Sequence, residues 1–228
     1  MRKVFAVLFL AIIGYYLFNT FALIPFGTNK MNADVAGSYL NSGVQKTGAV
    51  NIVTSIVVNY RGFDTLGEVT VLFLAATGMG ALLFRKKPMQ RSRQNASVIV
   101  KTGARILFPL IIILGVYVFV HGHLTPGGGF QGGAIIASGF LLMFMSYRTY
   151  KVNHKVLSLF ETFAGTSFVL LGLTGLIWGT SFLANILPFG EANTLFSAGI
   201  IPLIYIAVGI KVGSELTAVL DTMLKTVK

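Results

Sequence analysis

Six stretches of this chain are each long and apolar enough to cross a bilayer as a helix, and that constrains the fold more than anything else. About 30 Å of hydrocarbon calls for about 20 apolar residues at 1.5 Å per residue. The stretches are residues 4–26, 65–84, 104–124, 130–147, 156–183 and 194–216. The first carries no charge and follows Arg2 and Lys3, as a signal peptide would. It is nevertheless longer than the roughly 7–15 residues of a signal h-region, and no small-x-small cleavage site follows closely, so a retained helix is expected. The fold class expected is all-α: a polytopic membrane protein of about six transmembrane helices.

Charge supports this and sets an orientation. Only 11% of the 228 residues are charged, against about 25% in soluble domains. Lys and Arg outnumber Asp and Glu by 18 to 7. With the N-terminus inside and six crossings, only Lys30, Lys46 and Arg61 fall outside, leaving 15 of the 18 basic residues on the inner segments. That bias follows the positive-inside rule. It places both termini in the cytoplasm of a multi-pass protein of the cell membrane. The absence of cysteine excludes disulfides, zinc–cysteine sites, iron–sulfur clusters and thiol nucleophiles.

Residues 46–60 need separate treatment. Ala49, Ile52, Val53, Ile56, Val57 and Tyr60 recur at helical spacing, with Thr47, Asn51, Ser55 and Asn59 as a polar stripe opposite. A helix of this length reaches only about 20 Å, too short to cross. A seventh crossing would also place the chain ends on opposite sides. An amphipathic or re-entrant helix near 46–60 is therefore expected, covered by protein or a wet cavity. Three domains are expected: a two-span unit over 1–84, a basic cytoplasmic linker over 85–103 and a four-span unit over 104–228. The basic run 85–97 lies directly after a span, where attraction to the leaflet explains it better than nucleic acid does.

Ionisable groups at membrane depth are functional candidates by default. Arg61, Asp64 and Glu68 sit at the mouth of the second span. Two readings coexist: the acids hold and release a proton or Na⁺, or Thr65 and Glu68 form a capping box while Asp64 complements the helix N-terminus. The second cluster is His121-Gly-His-Leu-Thr-Pro-Gly-Gly-Gly-Phe-Gln-Gly-Gly133. Its glycines imply positive φ or very close backbone approach. It has neither the Gly-Lys-Ser/Thr of a P-loop nor a preceding strand. His121 and His123, without cysteine or acidic companions, make a poor metal site; they either relay protons or bond to nearby carbonyls. Pro126, Gly127, Gly128, Gly129, Gln131, Gly132 and Gly133 are read as structural. Glu161 in the fifth span either binds a cation or pairs with Lys151 or Lys155. Glu215 has Lys211 four residues earlier, the spacing of an ion pair. Gly175/Gly179 and Gly209/Gly213 are small-residue faces suited to helix packing.

These motifs carry a resemblance. Residues 104–220 resemble the B-type component of Mrp-type multisubunit Na⁺/H⁺ antiporters, the MnhB family. The similarity rests on HGHLTPGGGFQGGA from His121 to Ala134, on Glu161-Thr-Phe-Ala-Gly165 and on Lys211-Val-Gly-Ser-Glu-Leu216. The first 84 residues resemble the carboxy-terminal tail of the large A-type antiporter component, which is a separate small E-type protein in membrane-bound hydrogenases. That likeness runs from Asn51 through Tyr-Arg-Gly-Phe-Asp-Thr-Leu-Gly-Glu68. The resemblance implies a subunit of a monovalent cation/proton antiporter module, with no catalytic site, metal or cofactor of its own. Na⁺ or H⁺ would be the transported ion. Its partners would be other Mrp-type subunits and, in ferredoxin-linked complexes, hydrogenase-like redox subunits. Two alternatives stay open: a non-conducting scaffold that seals neighbouring ion-carrying subunits, and a free-standing carrier, against which the lack of an internal repeat counts.

Overall fold

The computed structural model describes residues 2–23, 33–83, 96–147 and 149–226. Most of the basic run expected at 85–97 lies outside the described residues. The regular elements among the described residues are all helices, with no strand. Five helices among them are long and apolar enough to cross a membrane, and a shorter apolar segment covers Val7–Ala22.

The chain divides into two compact units, Met1–Ser38 and Tyr39–Lys228. The first holds α1 (Arg2–Ala22) and the beginning of α2 (Ala33–Thr47). The large apolar side chains of α1 are exposed on all sides, as expected of a helix solvated by lipid.

The second unit is built around its last helix. It contains the end of α2, α3 (Ile52–Thr54), a π-helix over Ser55–Tyr60, α4 (Gly62–Leu83), α5 (Val98–Val120), α6 (Gly129–Ser146), α7 (His154–Trp178) and α8 (Ile201–Thr226). Helices α4, α5, α6 and α7 all pack on α8. In α8, 61% of the most apolar stretch is buried within the chain, against 6% in α4. So α8 is the axis and its neighbours face lipid or other proteins. Ile201, Ile204, Val208 and Val212 supply much of its core.

The glycine-rich segment lets α6 reach α8 at backbone distance. A Cβ on Gly129 would lie 2.6 Å from Val208, and one on Gly133 would lie 2.9 Å from the Gly209 carbonyl and the Gly213 amide. On its other side, a Cβ on Gly132 would lie 2.6 Å from the Gly115 carbonyl of α5. Of the two reasons the sequence offered for these glycines, close approach is the one that operates. Gly209 and Gly213 thus form a helix-packing face. Gly175 and Gly179 pack instead on the chain's own return, where added Cβ atoms would meet Ala184 at 2.6 Å.

The stretch 46–60 is helical in two pieces. Gly48 takes φ +70° between them, and a Cβ there would meet Phe189 at 2.9 Å. Asn51 restarts the helix, its side-chain oxygen accepting from the amides of Val53 and Thr54. The sixth span begins at Ile201 rather than 194, because Ala198 and Gly199 have φ of 66° and 60°. The fifth ends at Trp178.

Candidate ion-handling site

Two polar clusters lie along α8. The first surrounds the glycine turn. The Tyr205 hydroxyl donates to Thr54 Oγ1 at 2.9 Å, and Thr54 Oγ1 donates to the Gly122 carbonyl at 2.6 Å. The Asn51 amide donates to the carbonyls of Gly122 and Thr125, each at 2.9 Å, and its backbone N–H donates to the His123 carbonyl. Thr47 donates to Ser55 at 3.0 Å. Three members of the polar stripe read at 46–60 therefore tie α2 to the π-helix and the start of α3 to this turn. A side chain that both caps a helix and bridges to a second segment fixes the approach of the two.

His123 is fully buried here, with Nε2 3.4 Å from the Thr194 carbonyl and Nδ1 without a partner among the described residues. Burial pushes its pKa below the usual histidine value, with the hydrogen bond to Thr194 opposing and His121 reinforcing. His121 stacks on Tyr117 at 4.2 Å and places Nδ1 3.2 Å from the Tyr117 carbonyl. Pro126 and Gln131 are exposed, whereas Gly128, Gly129, Gly132 and Gly133 are buried.

The second cluster is ionic. Lys211 and Glu215, one turn apart on α8, place Nζ and Oε2 3.3 Å from each other. Glu161 of α7 approaches the same ammonium at 3.8 Å, and the Phe73 ring of α4 lies 5.0 Å away. Glu215 is 1% exposed, and neither of its oxygens accepts a hydrogen bond among the described residues. Its contact with Lys211 is therefore one of charge more than of hydrogen-bond geometry. A cavity of about 160 Å³ opens beside the two carboxylates, bounded by Thr77, Gly80, Ala218 and Thr222. It is large enough for water or a small cation. With both carboxylates ionised, two negative charges stand against one ammonium.

The other candidates are not drawn together with this site. Arg61, just before α4, forms an ion pair with Asp64 in the exposed first turn of α4, and Glu68 is exposed one turn on. Thr65 lies inside α4 and donates to the Val57 carbonyl at 2.8 Å, so it does not cap the helix. Glu161 pairs with Lys211 rather than with Lys151 or Lys155. No group of three or more His, Cys, Asp or Glu suited to a metal occurs among the described residues. Lys211 and Glu215 looked in sequence like an ordinary ion pair. The signal that marks them is position, since both lie well inside an apolar stretch long enough to span. His154 and Asp221, 2.6 Å apart at the far end of α8, form a further pair that the sequence did not reveal.

Residues 99–218 match the family described as a domain related to the MnhB subunit of Na⁺/H⁺ antiporters. This chain belongs to that family. Residues 2–98 match a second family, MbhE, one of the subunits of MBH. In the membrane-bound sulfane sulfur reductase, an archaeal respiratory membrane complex, one chain is 48% identical, with a TM-score of 0.78 and 98% of each chain covered. An uncharacterised protein of Methanocaldococcus jannaschii is 29% identical over 88% of this chain and 85% of its own. A probable K(+)/H(+) antiporter A/B subunit of Rhizobium meliloti is 33% identical over 57% of this chain, which spans 15% of that longer protein. The MnhB-like chain is thus a multi-pass membrane protein of the antiporter-subunit type.

Proposed function

We propose that Glu161, Lys211 and Glu215 hold a transferable ion, Na⁺ or H⁺, within the membrane part of a multisubunit cation/proton antiporter-like complex. The observation that carries this is the charge count beside the cavity. With Glu215 buried and Lys211 shared, a proton or monovalent cation completes neutrality at small cost, and its departure restores the pair. Asp64 and Glu68, exposed on α4 with Arg61, are acids that a neighbouring subunit can reach. His121 and His123 border the opposite end of α8. Other antiporter subunits and hydrogenase-like subunits are the partners, and the redox chemistry of such a complex belongs to them, with no catalytic site or cofactor on this chain. The bias of basic residues towards the inner segments supports a reading with both termini in the cytoplasm and the complex in the cell membrane.

The test is pH- or Na⁺-driven flux in vesicles holding the assembled complex, normalised to complex. Glu215→Gln and Glu161→Gln keep shape and remove charge. Each should lower flux about tenfold or more, the effect of ~1.4 kcal/mol, with assembly retained. The exposure of Arg61, Asp64 and Glu68 on the outer surface favours a second reading, a scaffold that orients ion-carrying neighbours. Wild-type flux in both variants would leave that reading standing.

A further inference from the structure

Helices α5, α6 and α7 all lean on α8, and an apolar groove lies between α5/α6 and α7. Its volume is about 500 Å³. Phe108 and Ile112 of α5 and Phe140 of α6 form one wall, Val156 and Phe160 of α7 form the other, and Gly213 of α8 lies in the floor. Almost no polar surface lines it. The adjacent Ser214 hydroxyl is turned back onto the Ile210 and Lys211 carbonyls. A void of this kind inside a bilayer is filled by hydrocarbon, because apolar walls gain nothing from water.

The end of the groove carries charge. Arg105 lies one turn before Phe108 on the same face of α5, since residues 105, 108 and 112 follow the three-four spacing of a helix. Lys151 and Lys155 each directly precede a residue that lines the opposite wall, Val152 and Val156. All three cations are exposed, and none has an acidic partner among the described residues. Unpaired basic side chains at the mouth of an apolar crevice between transmembrane helices are suited to a lipid phosphate.

We infer that this groove is a binding site for one anionic phospholipid. An acyl chain lies between α5/α6 and α7 against α8, and the headgroup sits among Arg105, Lys151 and Lys155. The mouth favours this occupant over a neighbouring helix, because a helix docked there would have to supply acidic groups of its own. The turn of α8 that forms the floor also bears Lys211, so the bound chain supports the ion pair from behind. The site itself stands on groove and charges alone.

The experiment uses the assembled complex in detergent with a photoactivatable phosphatidylglycerol whose reactive group is on the acyl chain. Cross-linked peptides are mapped in competition with unlabelled phosphatidylglycerol or phosphatidylcholine. The expected result is labelling of the segments around Phe140 and Phe160, displaced by phosphatidylglycerol far better than by phosphatidylcholine. The triple variant Arg105→Gln, Lys151→Gln, Lys155→Gln should weaken labelling on the order of 100-fold. Ile112→Trp, which fills the groove and leaves the charges, should abolish labelling there while the complex still assembles. Equal displacement by both lipids would overturn the headgroup site. Absence of label from these segments in the wild-type complex, as when a partner helix covers them, would overturn the groove as a lipid site.

Discussion

The two polar clusters of α8 differ in how completely they are satisfied. Around the glycine turn, Asn51, Thr54, Tyr205 and the carbonyls of Gly122 and Thr125 pair among themselves. The charges there are absent and the glycines bring backbone against backbone. Around Lys211 the groups are charged, unequal in number and open to a cavity. A neutral network paired at all but the His123 Nδ1 stabilises one geometry, whereas an unbalanced ionic one has a second state available on gaining or losing a cation. The first cluster is therefore a fastening, and the second is the one proposed to hold an ion.

The largest effect is expected at Lys211. Lys211→Met keeps the packing against Phe73 and leaves Glu161 and Glu215 facing each other without a counter-charge. Removing one partner of a buried pair costs about 3–5 kcal/mol, which the site relieves by binding protons or a cation more tightly. Flux per complex should fall to the vesicle background, and the melting temperature of the complex should recover as pH is lowered. Wild-type flux in this variant would remove the ionic cluster from any path. Next in size is Gly132→Ala at the fastening. Its Cβ would lie 2.6 Å from the Gly115 carbonyl, an overpacking worth about 1–3 kcal/mol. The yield of assembled complex should drop, while flux per assembled complex stays at the wild-type level. Reduced flux with full assembly would mean that the glycine turn also takes part in transport.

This division was only half legible in the sequence. The helices could be read because 20-residue apolar runs leave the backbone few options in lipid. The glycines could be read as a demand for close approach, but not which helix they approach. What could not be read is which ionisable residues meet. Asp64 and Glu68 looked stronger than Glu215 because they cluster along the chain with an arginine. Spacing of three or four residues on one helix brings groups to the same face without saying whether that face is buried. Glu161 and Lys211 stand 50 positions apart, and only the antiparallel packing of α7 on α8 brings them together. The break at Gly48 likewise depends on Phe189 and Ala198 arriving from a distant loop.

Tyr205→Phe tests the fastening more gently. It deletes the hydroxyl that donates to Thr54 at 2.9 Å and keeps the ring against Gly122 and Gly128. Thr54 retains its own bond to Gly122, so the loss is that of one neutral hydrogen bond, about 1 kcal/mol. A small fall in melting temperature with unchanged flux is expected. A large fall in flux would mean that the two clusters communicate along α8.

The smallest effect expected belongs to His123, the buried imidazole of the fastening. Burial holds this imidazole below its ordinary pKa of 6.5, so in the folded chain it stays neutral where an unfolded chain would already bind a proton. Stability from this residue is therefore complete above the ordinary value. It declines as pH falls from there towards the lowered folded value, because the unfolded state gains protons first. The melting temperature of the complex should decrease over that acidic interval, and His123→Gln should flatten the decrease. Gln keeps a donor for the Thr194 carbonyl, 3.4 Å from the histidine Nε2, so the comparison isolates the proton from the hydrogen bond. The opposite trend, with stability rising on acidification and lost in His123→Gln, would mean that His123 is charged in the fold. That would make the glycine turn an ionic site like the one at Lys211, and the contrast between the two clusters would fail.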